Sequence, residues 1–198
     1  MTNRLNFIAD PELAAVSGLL QERLDGWVGG LDPSGFDQLL DPVMQTALHR
    51  SFTVVNGAEG TVWLIDQSGE NLVAVFNSGP QAEKLIGFKQ PLGKGIISMV
   101  YSHERPYCEN DIAKEKDGNT HDNTLDKKIG TTTAAMIAVP FYFGFGLRGV
   151  ISCVQLENQE DASGFDSKNV DEISAAVSVV ERLIDGRLIT AALGLEDA

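Results

Sequence analysis

The chain has 198 residues, 43% hydrophobic and 22% charged, a globular composition that argues against disorder along its length. Its net charge of −13, with 15 scattered Lys and Arg residues, disfavours attraction to nucleic acid or anionic lipid. No apolar run approaches the roughly 20 residues that span a bilayer, the first residues carry no secretion-signal pattern, and two cysteines make no disulfide framework. The expectation is a reduced cytoplasmic protein with neither nucleic acid nor membrane as a partner.

Asp10-Pro11, Asp32-Pro33 and Asp41-Pro42 each join a capping side chain to a proline suited to the first helical turn. After the first pair, Leu13, Val16, Leu20, Leu24 and Trp27 recur at steps of three or four, predicting an amphipathic helix that Gly26, Gly29 and Gly30 stop. A second helix is expected over Phe36–Val54, with Phe36, Leu40, Val43, Ala47 and Leu48 on one face; Pro42 either kinks it or marks its true start. Strand-like runs at Thr61–Ile65 and Leu72–Phe76 flank a turn-forming loop and predict a hairpin. A short helix follows over Pro80–Ile86. Gly93 and Gly95 then form a turn that tips into a helix over Ile96–Ser102, ended by His103-Glu-Arg-Pro106. Ala113–Gly130 is polar and reads as a long insertion. Strands Ala134–Phe141 and Arg148–Glu157 come next. The last helix starts at Asp166 or Ser167 and carries Val170, Ile173, Val177, Val180, Ile184 and Leu188 on one stripe. The order is α+β, with helices at both ends of an antiparallel sheet.

Three pieces, Pro91-Leu-Gly-Lys-Gly-Ile-Ile-Ser-Met-Val100, Ala134–Pro140 and Arg148–Asn158, resemble in order and spacing the GAF domain, a PAS-related small-molecule sensory fold. The resemblance runs from about Phe36 to about Asp185 and divides the chain into a helical extension (1–35), the GAF-like domain (36–185) and a helix end with tail (186–198). It implies a central antiparallel β-sheet with terminal helices on one face and a lidded pocket on the other. The implied pocket floor is Trp63, Ile65, Met136, Ala138 and Ile151. The implied lid is Leu85–Gly95, the Ile96–Ser102 helix and the Ala113–Gly130 loop. Polar groups for orienting a ligand would be Ser98, Asp111, His121, Thr131, Thr132 and Thr133. The resulting ligand-binding set is Trp63, Ser98, Asp111, His121, Thr131, Thr133 and Met136, with ligand and cofactor unspecified.

Specialised GAF chemistries match poorly. Cyclic-nucleotide-binding members carry Asn-Lys, Phe and a following Asp; here Asn158-Gln159 and Phe165 match in part, and Asn169 replaces the Asp. Bilin-binding members attach through a Cys often followed by His, whereas His121 follows Thr120. Methionine-sulfoxide-reducing members use two or three cysteines around the lid; Ile97 stands where one of these falls, with Cys108 near and Cys153 on a strand. Asp117–Asp126 departs from a calcium loop, having Asp122 where Gly is required. His49, His103 and His121 are too far apart in sequence for a metal cluster by spacing. Gly93-Lys-Gly95 lacks the rest of a phosphate-loop pattern. These absences lead to the expectation that the chain is not an enzyme, with a cysteine-dependent redox enzyme using Cys108 as an alternative.

The terminal helices, with Arg187 at one seam position, lead to the expectation of a homodimer. No output domain follows Asp185 in this sequence, so a small-molecule sensor of this kind is expected to signal to a protein partner in trans. The competing expectation is an interaction module whose pocket is filled by its own side chains, for which Phe141, Tyr142, Phe143 and Phe145 are suited.

Overall fold

The structure is a computed structural model and describes residues 18–26, 33–112 and 124–193. Helix α1 covers 18–26, α2 Pro33–Leu39 and α3 Pro42–Val54. The Asp41 carboxylate accepts the Met44 N–H at 2.8 Å and Pro42 occupies the first helical turn, so Pro42 is a true start. The break at Leu40–Asp41 resets the helical phase. Met44, Leu48 and Phe52 face the core, while Val43 (71% exposed) and Ala47, expected on the apolar face, point outward.

Strands β1 (Glu59–Ile65), β2 (Asn71–Asn77), β3 (Lys89–Pro91), β4 (Tyr107–Glu109), β5 (Thr133–Phe143) and β6 (Gly146–Leu156) form one antiparallel sheet in the order β3-β2-β1-β6-β5-β4. Both edge strands have three residues, too few for an alternation signal, which is why the sequence alone did not reveal them. Helices α4 (Ala82–Leu85), α5 (Gly95–His103) and α6 (Thr124–Ile129) lie between strands, and α6 falls inside the segment read as a loop. Gly93 and Gly95 adopt φ of 86° and 74°, a conformation other residues strongly resist, and this sets the turn into α5.

Helix α7 (Ser167–Leu193) begins with a reciprocal cap. Asp166 Oδ1 accepts the Asn169 N–H at 2.9 Å, and Asn169 Oδ1 accepts the Asp166 N–H at 3.0 Å. Ile173, Val177, Val180, Ile184 and Leu188 then pack with Phe36, Leu40, Met44, Leu48 and Phe52 on one face of the sheet. Leu24 of α1 is buried in the same core, and α7 runs unbroken through residue 185. Two arginines tie the helices together. Arg23 Nη1 donates to the Ala192 carbonyl at 2.7 Å, near the C-terminal end of α7. Arg187 donates to the Gln38 and Leu39 carbonyls at 3.4 and 3.3 Å and pairs with Asp41 at 2.7 Å, so this expected seam residue is engaged within its own chain.

Phe141 meets Phe36 edge-on and Phe143 meets it tilted in this helix-face core, at centroid distances of 6.2 and 6.1 Å. They therefore do not fill the pocket. The opposite face carries a second apolar cluster of Trp63, Leu72, Ala74, Ile96, Ile97, Val100, Met136, Ala138 and Val150. Ile151, expected on the pocket floor, belongs to the helix-face core, because the inward residues of β6 on the pocket side are Val150 and Ser152. Among the described residues no helix is long and apolar enough to cross a membrane.

Candidate functional site

The second face of the sheet carries a partly open cavity of about 50 Å³. Strand alternation supplies its floor. Glu59, Thr61 and Trp63 of β1 point to it, while Val62 and Leu64 point to the helix-face core. Ser152, Val154 and Leu156 of β6 do the same from the neighbouring strand. On β5 a pairing irregularity between Thr133 and Ala135 shifts the phase, so that Thr133 and Met136 both reach the cavity. The cover consists of Gln90 from β3, Gly95, Ile96 and Ile97 from the start of α5, Leu125, Asp126 and Ile129 from α6, and Thr131.

Polar groups in the floor are tied in pairs. Trp63 Nε1 donates to Ser152 Oγ at 3.0 Å, and Asn77 Nδ2 donates to Thr61 Oγ1 at 2.9 Å. Trp63 also meets Phe88 edge-on at 6.4 Å. Burial pushes the Glu59 carboxyl above its ordinary range; a hydrogen bond with Asn77 opposes this and the charge of Asp126 adds to it. Asp126 is itself buried and accepts the Thr133 N–H at 2.8 Å and the Thr133 hydroxyl at 3.0 Å, which fastens α6 to the first residue of β5. Thr131 Oγ1 is a fully buried hydroxyl without a hydrogen-bond partner. Such an atom is costly unless something enters the cavity to meet it.

Of the residues expected to bind ligand, Trp63, Thr131, Thr133 and Met136 come together on the cavity wall. Ser98 does not. It is buried within α5, and its hydroxyl accepts the Gly93 N–H at 2.6 Å, holding the turn. Asp111 is exposed after edge strand β4 and is off the wall, and Thr132 is exposed. His121, like the 113–123 part of the expected lid, lies outside the described residues. Sequence reasoning missed Glu59, Thr61, Gln90, Asp126 and Ser152. Counting alternation back from Trp63 reaches Thr61 and Glu59, so those two were findable. Gln90 and Asp126 required knowledge of the short strand and helix that carry them.

Both thiols are on the other side. Cys153 is in the helix-face core and Cys108 packs against that core. They stand on β6 and β4, with β5 between them, about 10 Å apart at two inter-strand spacings. Both are free, and burial raises both thiol pKa values; Glu109 and Asp166 add to the rise at Cys108. Among the described residues no group of three or more His, Cys, Asp or Glu side chains is placed to hold a metal.

No family model and no curated protein matches the sequence. Solved structures do match. The GAF domain from an Acinetobacter phosphoenolpyruvate-protein phosphotransferase aligns over 96% of this chain and 99% of its own, at 12% identity and a TM-score of 0.54. The second GAF domain of DevS from Mycobacterium smegmatis aligns over 82% and 98%, at 12% identity and a TM-score of 0.54. The chain therefore has a GAF-like α+β fold. The fRMsr of Staphylococcus aureus in complex with substrate is also similar, over 84% of this chain and 94% of its own, at 18% identity and a TM-score of 0.51. That neighbour is a methionine sulfoxide reductase, which corrects the expectation of a chain that is not an enzyme. The fold houses catalysis as well as sensing, and a missing sequence motif does not separate the two.

Proposed function

We propose that this chain is a sensory or regulatory module that takes a small molecule between its sheet and the α5–α6 cover and transmits occupancy to its terminal helices. The observation that carries this is the cavity itself, covered in part by two short helices and lined by Thr131, whose hydroxyl has no partner. Drug-sized ligands occupy roughly 300–1,000 Å³, so the partly open cavity of about 50 Å³ holds only a compact group wholly within it. A larger ligand requires α6 to lift. Occupancy shifts the cover only if the ligand favours one of its two positions.

A route to the helices exists at the far end of β5 and β6. Glu181 Oε1 accepts the Tyr142 N–H at 2.8 Å, and Asp185 Oδ1 accepts the Gly144 N–H at 2.7 Å. Movement of the hairpin is thereby coupled to α7. In this proposal the outer face of α7, with Val179 and Leu183 exposed, meets a second copy, and the signal passes to a protein partner in the cytoplasm.

Native mass spectrometry of protein purified from its own host tests the proposal. The expected result is a small added mass that is lost on denaturation. A protein with no added mass, and with no stability change across a panel of metabolites and nucleotides, would overturn it in favour of an interaction module.

A further inference from the structure

The cavity meets β5 at Thr133 and Met136, whereas the β5–β6 turn lies at the other end of that strand. Helix α5 connects the two. Its first turn, Gly95–Ile97, lines the cavity. Its nine residues rise roughly 13 Å and end at Glu104, whose φ of 55° is left-handed. There Glu104 Oε2 accepts the Tyr142 hydroxyl at 3.1 Å. Burial and the Glu104 carboxylate push the Tyr142 phenol up to about 12, so it remains a donor.

The same residue is gripped from the opposite face. Pairing of β5 with β6 runs Phe141–Gly149 and then Tyr142–Leu147, a bulge that leaves Arg148 out of the ladder. The Tyr142 N–H donates to Glu181 of α7 at 2.8 Å, and the Gly144 N–H donates to Asp185 at 2.7 Å. The side chain of Arg148 braces the turn, its Nε and Nη2 donating to the Phe143 and Gly144 carbonyls at 3.1 and 3.0 Å. Within that turn Phe145 has a φ of 63°, which a bulky side chain resists. Backbone in so unfavourable a state persists only where its surroundings over-determine it.

We infer that Tyr142 is the positioning residue that couples α5 to α7, its phenol taking up movement of α5 and its amide passing it to Glu181. This rests on the proposal above that the cavity takes a small molecule and reports it to the terminal helices, and it assigns the regulatory step to one side chain. An occupant that displaces the first turn of α5 then moves α7 at Glu181 and Asp185. Glu104 is exposed, so the phenol link contributes a factor of several rather than orders of magnitude.

The test is a cycle of variants of the full chain, read by amide NMR in the absence of any ligand. Ile97→Val trims the cavity end of α5, Tyr142→Phe removes only the hydroxyl, and Glu104→Gly removes its acceptor while suiting the left-handed backbone. Ile97→Val is expected to shift the amide resonances of residues 142 and 144. That shift should shrink about threefold or more when Tyr142→Phe or Glu104→Gly is also present, and the triple variant should match either double. A merely structural hydroxyl would alter stability and leave the shift intact. Equal shifts with and without the phenol would overturn the inference and move the coupling into the packed sheet. No shift at either amide from Ile97→Val would overturn it as well, by separating α5 from the hairpin. Both results leave the small-molecule proposal standing, because an added mass on the purified protein decides that separately. A protein without any added mass, but with the expected cycle, would end the sensory reading and keep Tyr142 as the link between the two helices.

Discussion

Replacing Asp126 tests whether the cover of the cavity is fastened as the structure implies. Its carboxylate accepts both the amide and the hydroxyl of Thr133, at 2.8 and 3.0 Å. Hydrogen bonds to a charged group contribute about 1.5–3 kcal/mol each, so Asp126→Ala removes roughly 3–6 kcal/mol of gross interaction. Relief of the repulsion between Asp126 and Glu59 offsets on the order of 1 kcal/mol. The net loss, about 2–5 kcal/mol, falls first on the docking of α6, a helix of six residues. Once that docking free energy is exhausted the cover opens and the remaining fold no longer senses the substitution. Global stability should therefore fall by less than local protection does. Hydrogen exchange of the Thr133 amide should accelerate by about 30-fold or more, while the urea midpoint moves less than that figure implies. Asp126→Asn retains an acceptor for the amide and should fall between wild type and Ala. Unchanged protection at Thr133 in the Ala variant would refute the fastening. An Asn variant as damaged as Ala would show that charge, rather than hydrogen-bond geometry, holds the helix down.

Glu59 offers a prediction with a defined sign. Its carboxyl is raised in the folded state, so the folded chain binds the proton more readily and wild-type stability declines as pH rises from the ordinary value of 4.5 through the raised one. Glu59→Gln should accordingly be more stable than wild type at pH 7 without ligand, with the difference vanishing below about pH 4 in denaturant melts; a gap that widens in acid would contradict this. Gly149 of β6 pairs with Leu64 of β1, and a Cβ there would collide with the carbonyl of Trp63, a backbone atom that cannot rotate away. Gly149→Ala should cost about 3 kcal/mol or more and lower Tm by roughly 6–12 °C, and a wild-type Tm would show the strand spacing to be wrong. Leu183 is 44% exposed on the outer face of α7, so Leu183→Glu should leave Tm of the isolated protomer nearly unchanged while converting the proposed dimer to monomer in sedimentation; an unaltered sedimentation coefficient would move the interface elsewhere.

Periodic elements were legible in the amino-acid sequence because their signal is local and repeated. The stripe from Ile173 to Leu188 declares α7 through five buried positions at steps of three and four. The turn at Gly93 and Gly95 announces the start of α5, and the order of strands and helices points to the GAF-like fold that the solved neighbours share. The family resemblance also pointed to Trp63, Thr131, Thr133 and Met136, which the structure brings to one wall. What the pattern left undetermined was phase and company. Ile151 and Ser152 are equally plausible floor residues until the pairing of β6 with β1 and β5 assigns each to a face. The apolar face of α3 shifts because Asp41 begins a new helix, and no count from Phe36 carries across that cap. Asp126 looked like one charge in a polar stretch; only the approach of α6 to β5 makes it a buried acceptor beside Glu59. Arg187 looked available to a partner and instead binds carbonyls of a helix about 150 positions earlier. Sequence order carries the period of each element, since that depends on residues three or four apart, or two apart in a strand. The contents of the cavity depend on groups brought together from six separate elements, and that assembly exists only after the sheet has paired and the helices have covered it.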